Sequence, residues 1–270
     1  MDIQNRKAIC LEAAGIVRQV GTFIKAELGK VQSTAIETKS LNSLVSYVDK
    51  TAEQKLVAGL QQLLPQAVFL TEEATVKQEQ GQYQWIIDPL DGTTNFLHQL
   101  PFFSISVALR QHNQIIIGIV LEVNRDECFY AWKGGGAWLN EQAIHVRSNA
   151  VLSDALIATG FPYYDYQHTK IYLEILESFM KSTRGLRRFG SAALDLAYVA
   201  CGRFDAFFEY SLHAWDVAGG ILLVQEAGGQ ICDFKGGENY LFGKEIIATS
   251  AHLHHDVSEL IIEKFRKKIV

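Results

Sequence analysis

Two aspartates that follow a short apolar run are the first residues of the chain whose spacing could do chemistry. The run precedes Asp88 within the string Trp-Ile-Ile-Asp-Pro-Leu-Asp-Gly-Thr-Thr-Asn-Phe, which covers residues 85–96. Its β-branched residues predict a buried strand that is too short to be a helix. Pro89 lacks a backbone N–H and fixes φ, so we expect the strand to stop at Asp88. Asp91 follows three positions later, and these two aspartates are the only formally charged residues between Tyr83 and Leu109.

The spacing of Asp88 and Asp91 favours a divalent cation beside a phosphate. Two carboxylates about 4 Å apart repel each other by ~4 kcal/mol at an effective dielectric of about 20, which raises one pKa unless a cation intervenes. Mg²⁺ prefers such carboxylates together with water and phosphate oxygens. Gly92 allows close approach of the backbone, and the N–H groups of a helical turn over 92–95 can receive an anion. The alternative is a turn alone, because Asp-Pro and Asp-Gly pairs commonly form turns and caps.

Three further acidic residues could join this pair. Glu72 lies in Thr-Glu-Glu at the end of a predicted strand over 68–70, and two neighbouring strands would bring it to the same sheet edge as Asp88. Asp216 opens a predicted helix over 216–227, where it is either an N-cap or a third aspartate at a helix start. Glu209 ends the preceding strand and points into the same loop region.

Several other polar residues have two interpretations. Asp49 is a plausible N-cap of a second helix that ends at Pro65, with residues 52, 56, 60 and 63 facing inward. Residues 30–43 are polar and predict a loop, in which Lys39 is either a surface lysine or a phosphate-facing lysine on a flap. Ser191 lacks a nucleophile elbow and a histidine partner, so it predicts a cap or a substrate contact. His213 is typical of a hydrogen-bonded core residue.

The remaining pattern alternates between helices and strands and predicts an α+β or layered α/β fold. Helices are expected over 3–28, 165–181, 191–201 and 256–267, and strands over 103–110, 114–122, 127–132, 137–139, 155–159, 186–189, 204–209, 231–232 and 246–249. A glycine run at 134–136 lies between two strands and lacks the lysine and helix of a P-loop, so a hairpin or bulge is expected. No repeat or linker is visible, and we expect one structural unit over 1–270 with halves near 1–145 and 146–270.

The composition limits the classes of function. The chain has 270 residues, 48% hydrophobic and 20% charged, with a formal net charge of −5. These values are those of an ordinary globular protein and offer no basic face for nucleic acid or an anionic membrane. Four scattered cysteines predict free thiols in a reducing compartment. The start lacks a signal-peptide core, and the longest apolar run, at 115–121, is too short to span a bilayer. We therefore expect a cytoplasmic protein.

Taken together, these segments resemble the inositol monophosphatase family of Mg²⁺-dependent, lithium-sensitive phosphatases. Residues 71–73 resemble the Gly-Glu-Glu element of that family, and residues 88–96 match its first signature. Residues 215–219 with 226–229 match the second signature, and the segments 134–137 and 190–193 also fall where the family has such segments. The resemblance covers essentially the whole chain, and three signatures in order with the correct spacing are highly specific.

The resemblance implies a layered αβαβα sandwich of mixed sheets covered by helix pairs, together with a set of site residues. The implied ligands of two to three Mg²⁺ ions are Glu72, Asp88, the carbonyl of Leu90, Asp91 and Asp216, with Asp88 bridging two ions. Glu72 and Thr93 are implied to orient and deprotonate the attacking water, with Asp49 near the metals. The backbone N–H groups of Gly92 and Thr93 are implied to hold the phosphate. The residues implied to face the alcohol are Asp91, Gly190, Ser191, Ala192, Glu209 and Asp216. Two positions depart from the family, Thr71 in place of Gly and Ser46 in place of Thr.

The resemblance also implies hydrolysis of a small phosphate monoester, inositol monophosphate or a related sugar phosphate, by a homodimer. Thr94 and Asn95 favour this branch, because relatives that cleave 3′-phosphoadenosine 5′-phosphate more often carry Lys-Glu there. The pair Arg187 and Arg188 leaves a bisphosphate as an alternative substrate, either fructose 1,6-bisphosphate or a nucleotide 3′(2′),5′-bisphosphate. A hypothesis of another class is a regulatory role on the same fold, in which the protein contacts transcription machinery. No nucleic acid and no membrane is expected as a direct partner.

Overall fold

The computed structural model of the chain describes residues 1–32, 36–40, 43–148, 151–162 and 165–266. Its helices are α1 (Ile3–Glu27), α2 (Tyr47–Leu63), α3 (Thr93–Leu97), α4 (Thr169–Ser182), α5 (Ala192–Ala200), α6 (Ala214–Glu226) and α7 (His254–Arg266). Its strands are β1 (Ile36–Ser40), β2 (Ser43–Ser46), β3 (Val68–Thr71), β4 (Tyr83–Asp91), β5 (Ser104–Gln111), β6 (Gln114–Glu122), β7 (Glu127–Trp132), β8 (Ala137–Leu139), β9 (Gln142–Ile144), β10 (Leu156–Thr159), β11 (Gly185–Arg187), β12 (Ala206–Tyr210), β13 (Gln230–Cys232) and β14 (Glu245–Thr249).

Two mixed sheets and three helix pairs form five layers. The first sheet has seven strands in the order β3-β4-β5-β6-β7-β8-β9, and the second has five in the order β11-β10-β12-β14-β13. Helices α1 and α2 cover the outer face of the first sheet, α5 and α6 lie between the sheets, and α4 and α7 cover the second sheet. The fold is therefore the predicted α+β class, a layered αβαβα sandwich. The two sheets lie on opposite sides of residue 145 in sequence, and the single unit with two halves stays a prediction.

The burial of β4 shows why the first sheet needs helices on both faces. Trp85 and Ile87 pack into the apolar cluster under α1 and α2, whereas Ile86 packs with Ala108 against α6. A strand that is buried on both sides reads as a continuous apolar run rather than an alternating one. This explains why the run before Asp88 is uniformly apolar. Among the helices that the structure describes, none combines the length and apolarity needed to span a lipid bilayer.

Three sequence predictions about local structure were wrong. Residues 30–43 were expected to form a loop, but residues 36–40 pair with residues 43–46 as an antiparallel ribbon, β1 with β2. Such a ribbon takes its hydrogen bonds from the backbone and needs no apolar periodicity, so the pattern does not reveal it. The Lys39 side chain lies outside the described residues, and its role on a flap stays a prediction. The three-residue strand β9 was missed because it carries too few residues for a periodic signal.

The third correction concerns the end of β4. Pairing with β5 does not stop at Asp88 but resumes at Asp91, opposite Ser104, after a shift in register. The missing N–H of Pro89 is tolerated because it falls within this irregularity.

Two predictions about turns in this sheet are confirmed. Residues 112–113 form the turn between β5 and β6, and the glycines at 134–136 join the antiparallel strands β7 and β8.

Close contact between β6 and α6 fixes the position of the helix that begins beside Asp216. A Cβ atom on Gly118 would lie 2.4 Å from the carbonyl oxygen of Gly219, a distance that real side chains do not reach. One on Gly219 would lie 2.9 Å from the carbonyl oxygen of Ile119. The two glycines therefore allow the helix to approach the sheet backbone directly.

Replacing Gly118 with alanine should lower the free energy of unfolding by ~1–3 kcal/mol, because the added methyl group overpacks this contact. Gly15 provides the matched control, since it lies on the exposed side of α1 and its Cβ would meet nothing within 4 Å. Gly15→Ala should raise the free energy of unfolding by ~0.5–1 kcal/mol through helix propensity. Urea unfolding measures both changes. A Gly118→Ala variant as stable as the wild type would contradict the close approach.

Candidate active site

A pocket opens where β3 and β4 end and where α3, α5 and α6 begin. Of the site residues predicted from the sequence, all but Asp49 line it: Glu72, Asp88, Leu90, Asp91, Gly92, Thr93, Gly190, Ser191, Ala192, Glu209 and Asp216. Asp49 lies directly behind the pocket, where its carboxylate contacts Thr93. Residues up to 144 positions apart in sequence thus converge on one cavity. This arrangement does not by itself assign their roles, which remain proposals.

Parallel pairing of β3 with β4 brings Glu72 beside Asp88. Thr71 is the register partner of Ile87, and the backbone N–H of Glu72 donates to the Ile87 carbonyl at 3.1 Å. Both acids therefore occupy the carboxyl ends of neighbouring strands, as the sequence predicted. The Asp88 carboxylate accepts a hydrogen bond from the backbone N–H of Leu90 at 2.9 Å. This bond shapes the turn through Pro89 that leads to Asp91.

Asp91 joins the two halves of the chain. Its Oδ2 accepts hydrogen bonds from the Ser191 hydroxyl at 2.7 Å and from the backbone N–H of Ala193 at 2.8 Å. Ser191 is also the N-cap of α5, where its side chain accepts from Leu194 N–H. The prediction of Ser191 as a cap is therefore confirmed. The start of α5 and the end of β4 are held together through this one carboxylate.

Asp49 was expected to be an N-cap, and for Asp216 an N-cap was one of two alternatives, but neither aspartate is a cap. The caps are Ser46 and His213, and each aspartate lies at the third helical position, where it accepts the backbone N–H of the cap. The distances are 2.8 Å for Ser46 N to Asp49 Oδ2 and 2.6 Å for His213 N to Asp216 Oδ2. Ser46 three positions before Asp49 fits the Ser/Thr-x-x-acid pattern of a capping box, so this signal was present in the sequence, whereas His213 before Asp216 does not fit the pattern.

Thr93 is held at the start of α3 by groups on both sides. Gly92 precedes it with φ of 97°, a left-handed conformation that favours glycine. The Thr93 hydroxyl lies 2.9 Å from Asp49 Oδ1 and 3.0 Å from the Leu90 carbonyl oxygen, and it can donate to either. The first helical turn after β4 is therefore tied to α2.

Burial and mutual repulsion dominate the electrostatics of the pocket. Burial, followed by the negative charges of neighbouring carboxylates, raises the pKa values of Asp88 and Asp216 well above the ordinary value. Burial raises the pKa of Asp91 to about 7 and that of Glu209 to about 8, while the positive charge of Arg188 opposes both shifts. The charge of Arg188 thus does not cancel the upward shift of either acid.

The donor set has the chemistry that a hard dication prefers, namely carboxylate oxygens and the carbonyl of Leu90. A dication would also relieve the repulsion that raises these pKa values. Within the described ranges, however, no three acidic, histidine or cysteine side chains are already grouped closely enough to hold an ion. The residues fit the metal by type and charge, and we expect their side chains to rotate on binding.

His213 and Gly160 line the pocket but were not predicted as site residues. His213 was expected in the core, but it lines the pocket, is partly exposed and stacks on Trp215 with ring centroids 4.7 Å apart. Burial and the positive charge of Lys244 lower the pKa of His213. Gly160 was missed, although a glycine just after a strand is a usable signal. A Cβ at this position would lie 2.0 Å from the Glu209 carboxylate, so the glycine makes room for that side chain.

A layered αβαβα sandwich with an acidic pocket is the architecture of proteins of the inositol monophosphatase type. Comparison with known proteins agrees, since a model described as the inositol monophosphatase family matches residues 7–269. The chain belongs to the inositol monophosphatase family.

Individual relatives carry two kinds of name. A protein of Mesorhizobium japonicum named inositol-1-monophosphatase is 41% identical over 231 residues, which cover 85% of this chain and 87% of that protein. A protein of Pseudomonas aeruginosa named Nus factor SuhB is 41% identical over 245 residues, 89% of each chain. A solved structure of the extragenic suppressor protein suhB from Bartonella henselae has a TM-score of 0.89 at 38% identity and covers 94% of this chain and 98% of that one.

The raised pKa of Glu209 predicts that the metal-free protein loses stability as the pH rises. Between the ordinary value of 4.5 and about 8, the folded chain keeps this proton whereas the unfolded chain releases it. The folded state then binds more protons, so the free energy of unfolding falls with rising pH. Glu209→Gln removes this titration. Between pH 5 and pH 8, the free energy of unfolding of this variant should therefore fall by up to ~4 kcal/mol less than that of the wild type.

Urea unfolding in the presence of EDTA measures this effect at each pH. Glu12→Gln is the matched control, because Glu12 is exposed on α1 and far from the pocket. Its stability profile should follow that of the wild type. Parallel profiles for the wild type and Glu209→Gln would mean that Glu209 titrates with an ordinary pKa.

Proposed function

We propose that the protein hydrolyses a small phosphate monoester in an Mg²⁺-dependent reaction, with inositol monophosphate or a related small sugar phosphate as substrate. The observation that carries the proposal is the convergence of Glu72, Asp88, Asp91 and Asp216 on one pocket. Membership of the inositol monophosphatase family and the name of the Mesorhizobium relative support the same reaction.

We propose that the four acids and the carbonyl oxygen of Leu90 would hold two to three Mg²⁺ ions. Bound magnesium would lower the pKa of a coordinated water and offset negative charge on the phosphate and on the departing alcohol oxygen. The buried carboxylates supply the negative charge that would attract the ions into the buried part of the pocket. Among the described residues that line the pocket, Arg188 is the one with a formal positive charge.

Glu72 and Thr93 are proposed to orient the attacking water. The water oxygen forms a bond to phosphorus, the Glu72 carboxylate takes the released proton, and the bond from phosphorus to the alcohol oxygen breaks. That alcohol oxygen then takes a proton from a solvent water, and the hydroxide left behind takes up the proton held on Glu72. Asp49 contributes by accepting the Thr93 hydroxyl hydrogen, which leaves the Thr93 oxygen free to accept a hydrogen bond from the water.

The start of α3 is proposed to hold the phosphate through the backbone N–H groups of Gly92 and Thr93. A side chain at residue 92 would meet backbone oxygens of Phe102 and Gly190 at 3.1 and 3.2 Å, so glycine keeps this surface open. The alcohol would face the wall that consists of Asp91, Gly190, Ser191, Ala192, Glu209 and Asp216. Carboxylates on that wall suit a ring with several hydroxyl groups.

We include a homodimer in the proposal. Leu173 and Met180 lie seven residues apart on α4, with 57% and 62% of their surfaces exposed. Contact with a second chain over this face of α4 would remove both apolar side chains from water. The molar mass in solution, measured by light scattering, tests this part separately.

Asp91→Asn should abolish most activity. Even residues that only support a metal ligand typically cost 10–100-fold on mutation, so we expect kcat/KM to fall by more than ~100-fold. Phosphate release is measured over a panel of inositol, sugar and nucleotide phosphates with and without Mg²⁺. Asp126→Asn is the control, because the Asp126 side chain is 71% exposed. Equal activity of Asp91→Asn and wild type would remove this site assignment.

A bisphosphate is the second candidate substrate, and the position of Arg188 favours it. Arg188 lines the pocket and lies over the Phe161 ring, whereas Arg187 donates to the Leu186 carbonyl outside it. Against this candidate, the Arg188 charge already acts on Asp91 and Glu209. A second phosphate would have to share the guanidinium with these acids.

Arg188→Gln distinguishes the two substrates. With a bisphosphate as the true substrate, kcat/KM should fall by ~10-fold or more for fructose 1,6-bisphosphate but little for inositol monophosphate, since a charge-assisted contact is lost. Arg187→Gln is the control and should leave both values near wild type. If Arg188→Gln lowers kcat/KM by a similar small factor for both compounds, inositol monophosphate is the better candidate substrate.

A role of another class is favoured by the Pseudomonas relative, which is named a Nus factor. In this candidate the same fold serves as a protein-binding regulator. The complete set of acids argues against a loss of catalysis, though not against a second role. If no phosphate ester of the panel is hydrolysed with Mg²⁺ present, the regulatory role becomes the better proposal.

A further inference from the structure

A buried glutamate on α2 receives four hydrogen bonds from the segment that carries Glu72. Glu53 is fully buried. Its Oε1 accepts from the Thr71 hydroxyl at 2.9 Å and from the backbone N–H and hydroxyl of Thr75, both at 2.7 Å. Its Oε2 accepts from the backbone N–H of Glu73 at 2.7 Å. All four donors are backbone N–H or hydroxyl groups, and none of them belongs to a basic side chain.

The donors of the four hydrogen bonds lie on both sides of Glu72 in the sequence. One comes from the residue before it, and three come from the first and third residues after it. Ala74, between these contacts, has φ of 50°, a left-handed conformation that is unfavourable for alanine. The segment therefore turns tightly around the Glu53 carboxylate. Consequently the backbone of Glu72 is fixed relative to α2 and not only relative to β3.

The same face of α2 also holds Thr93. Asp49 lies one helical turn before Glu53, and its Oδ1 accepts the Thr93 hydroxyl. Successive acids of one helix thus support the two residues that we assigned to orienting the water. We propose that Glu53 is a positioning residue for Glu72, and that α2 sets the distance between Glu72 and Thr93. This inference rests on the proposed function.

The unusual threonine at residue 71 takes part in this contact. Besides donating to Glu53, its hydroxyl accepts from Gln78 Nε2 at 3.1 Å, and its backbone N–H donates to Gln78 Oε1 at 2.7 Å. A glycine at this position, as in the family element, would lack the hydroxyl. The departure from the family pattern therefore adds a hydrogen bond to the Glu53 carboxylate.

The test uses Glu53→Gln, whose amide cannot accept all four bonds. Glu122→Gln is the matched control, because Glu122 is also buried and its carboxylate holds a turn through the backbone N–H groups of Asn124 and Arg125 away from the pocket. A second pair keeps the test valid if Glu53→Gln fails to fold. Thr71→Val removes the hydroxyl with little change in shape, and Thr71→Ser restores it.

Three measurements are made on the full chain. They are the Mg²⁺ dissociation constant of substrate-free protein by calorimetry, hydrogen exchange of residues 72–75, and kcat and KM at saturating Mg²⁺. We expect Glu53→Gln to raise the dissociation constant ~10–100-fold, the range typical of residues that support metal ligands. Exchange at 72–75 should accelerate and kcat should fall more than KM rises. Thr71→Val should show the same changes to a smaller extent, with Thr71→Ser near wild type.

A merely structural role gives a different result. If Glu53→Gln and Glu122→Gln lose similar stability and both keep the wild-type dissociation constant and kcat, the positioning role is wrong. Unchanged exchange at 72–75 in Glu53→Gln would also overturn it. Failure of the proposed function appears instead in the wild type, as absence of both Mg²⁺ binding and phosphate release, before any variant is compared.

Discussion

Repulsion among buried acids is the constraint on which the rest of this structure depends. Burial raises the pKa values of Asp88, Asp91 and Asp216, and the negative charge of Glu72 adds to the shift of each. Each is nevertheless held by donors from a different part of the chain: Leu90 N–H for the first, the Ser191 hydroxyl and Ala193 N–H for the second, and His213 N–H for the third. The fold therefore keeps together groups that would separate in a free chain.

The layered architecture makes this arrangement possible. Helices cover both faces of β4, so its end can enter the interior and present two carboxylates there. Helices α5 and α6 lie between the sheets and begin at the same end of the sandwich, where their free N–H groups meet the acids. The close contact of Gly118 with Gly219 lets α6 approach the sheet and thereby brings Asp216 to the pocket. Packing and electrostatics are thus coupled through the helix starts.

Sequence patterns predicted the long helices, most strands and the adjacency of Glu72 and Asp88, because each depends on local periodicity or on neighbouring strands. They failed for β1 and β2, whose pairing leaves no apolar period, and for the caps, where the acid was taken for the first residue of the capping box. The contact between Asp91 and Ser191 joins positions 100 residues apart. No local pattern encodes it, and only the resemblance to a family placed both residues near one site.

The buried aspartates Asp233 and Asp88 differ in their electrostatic surroundings, and the difference bears on function. Burial alone would raise the pKa of Asp233, but backbone N–H groups of Gly237, Lys235 and Asn239 together lower it. Asp88 receives a single backbone N–H and has acids for neighbours, so its pKa rises. An acid that is saturated with donors is a stable part of the fold, as Glu53 also is. An acid with few donors and like-charged neighbours retains free oxygens and unmet charge, which is the condition for binding a cation.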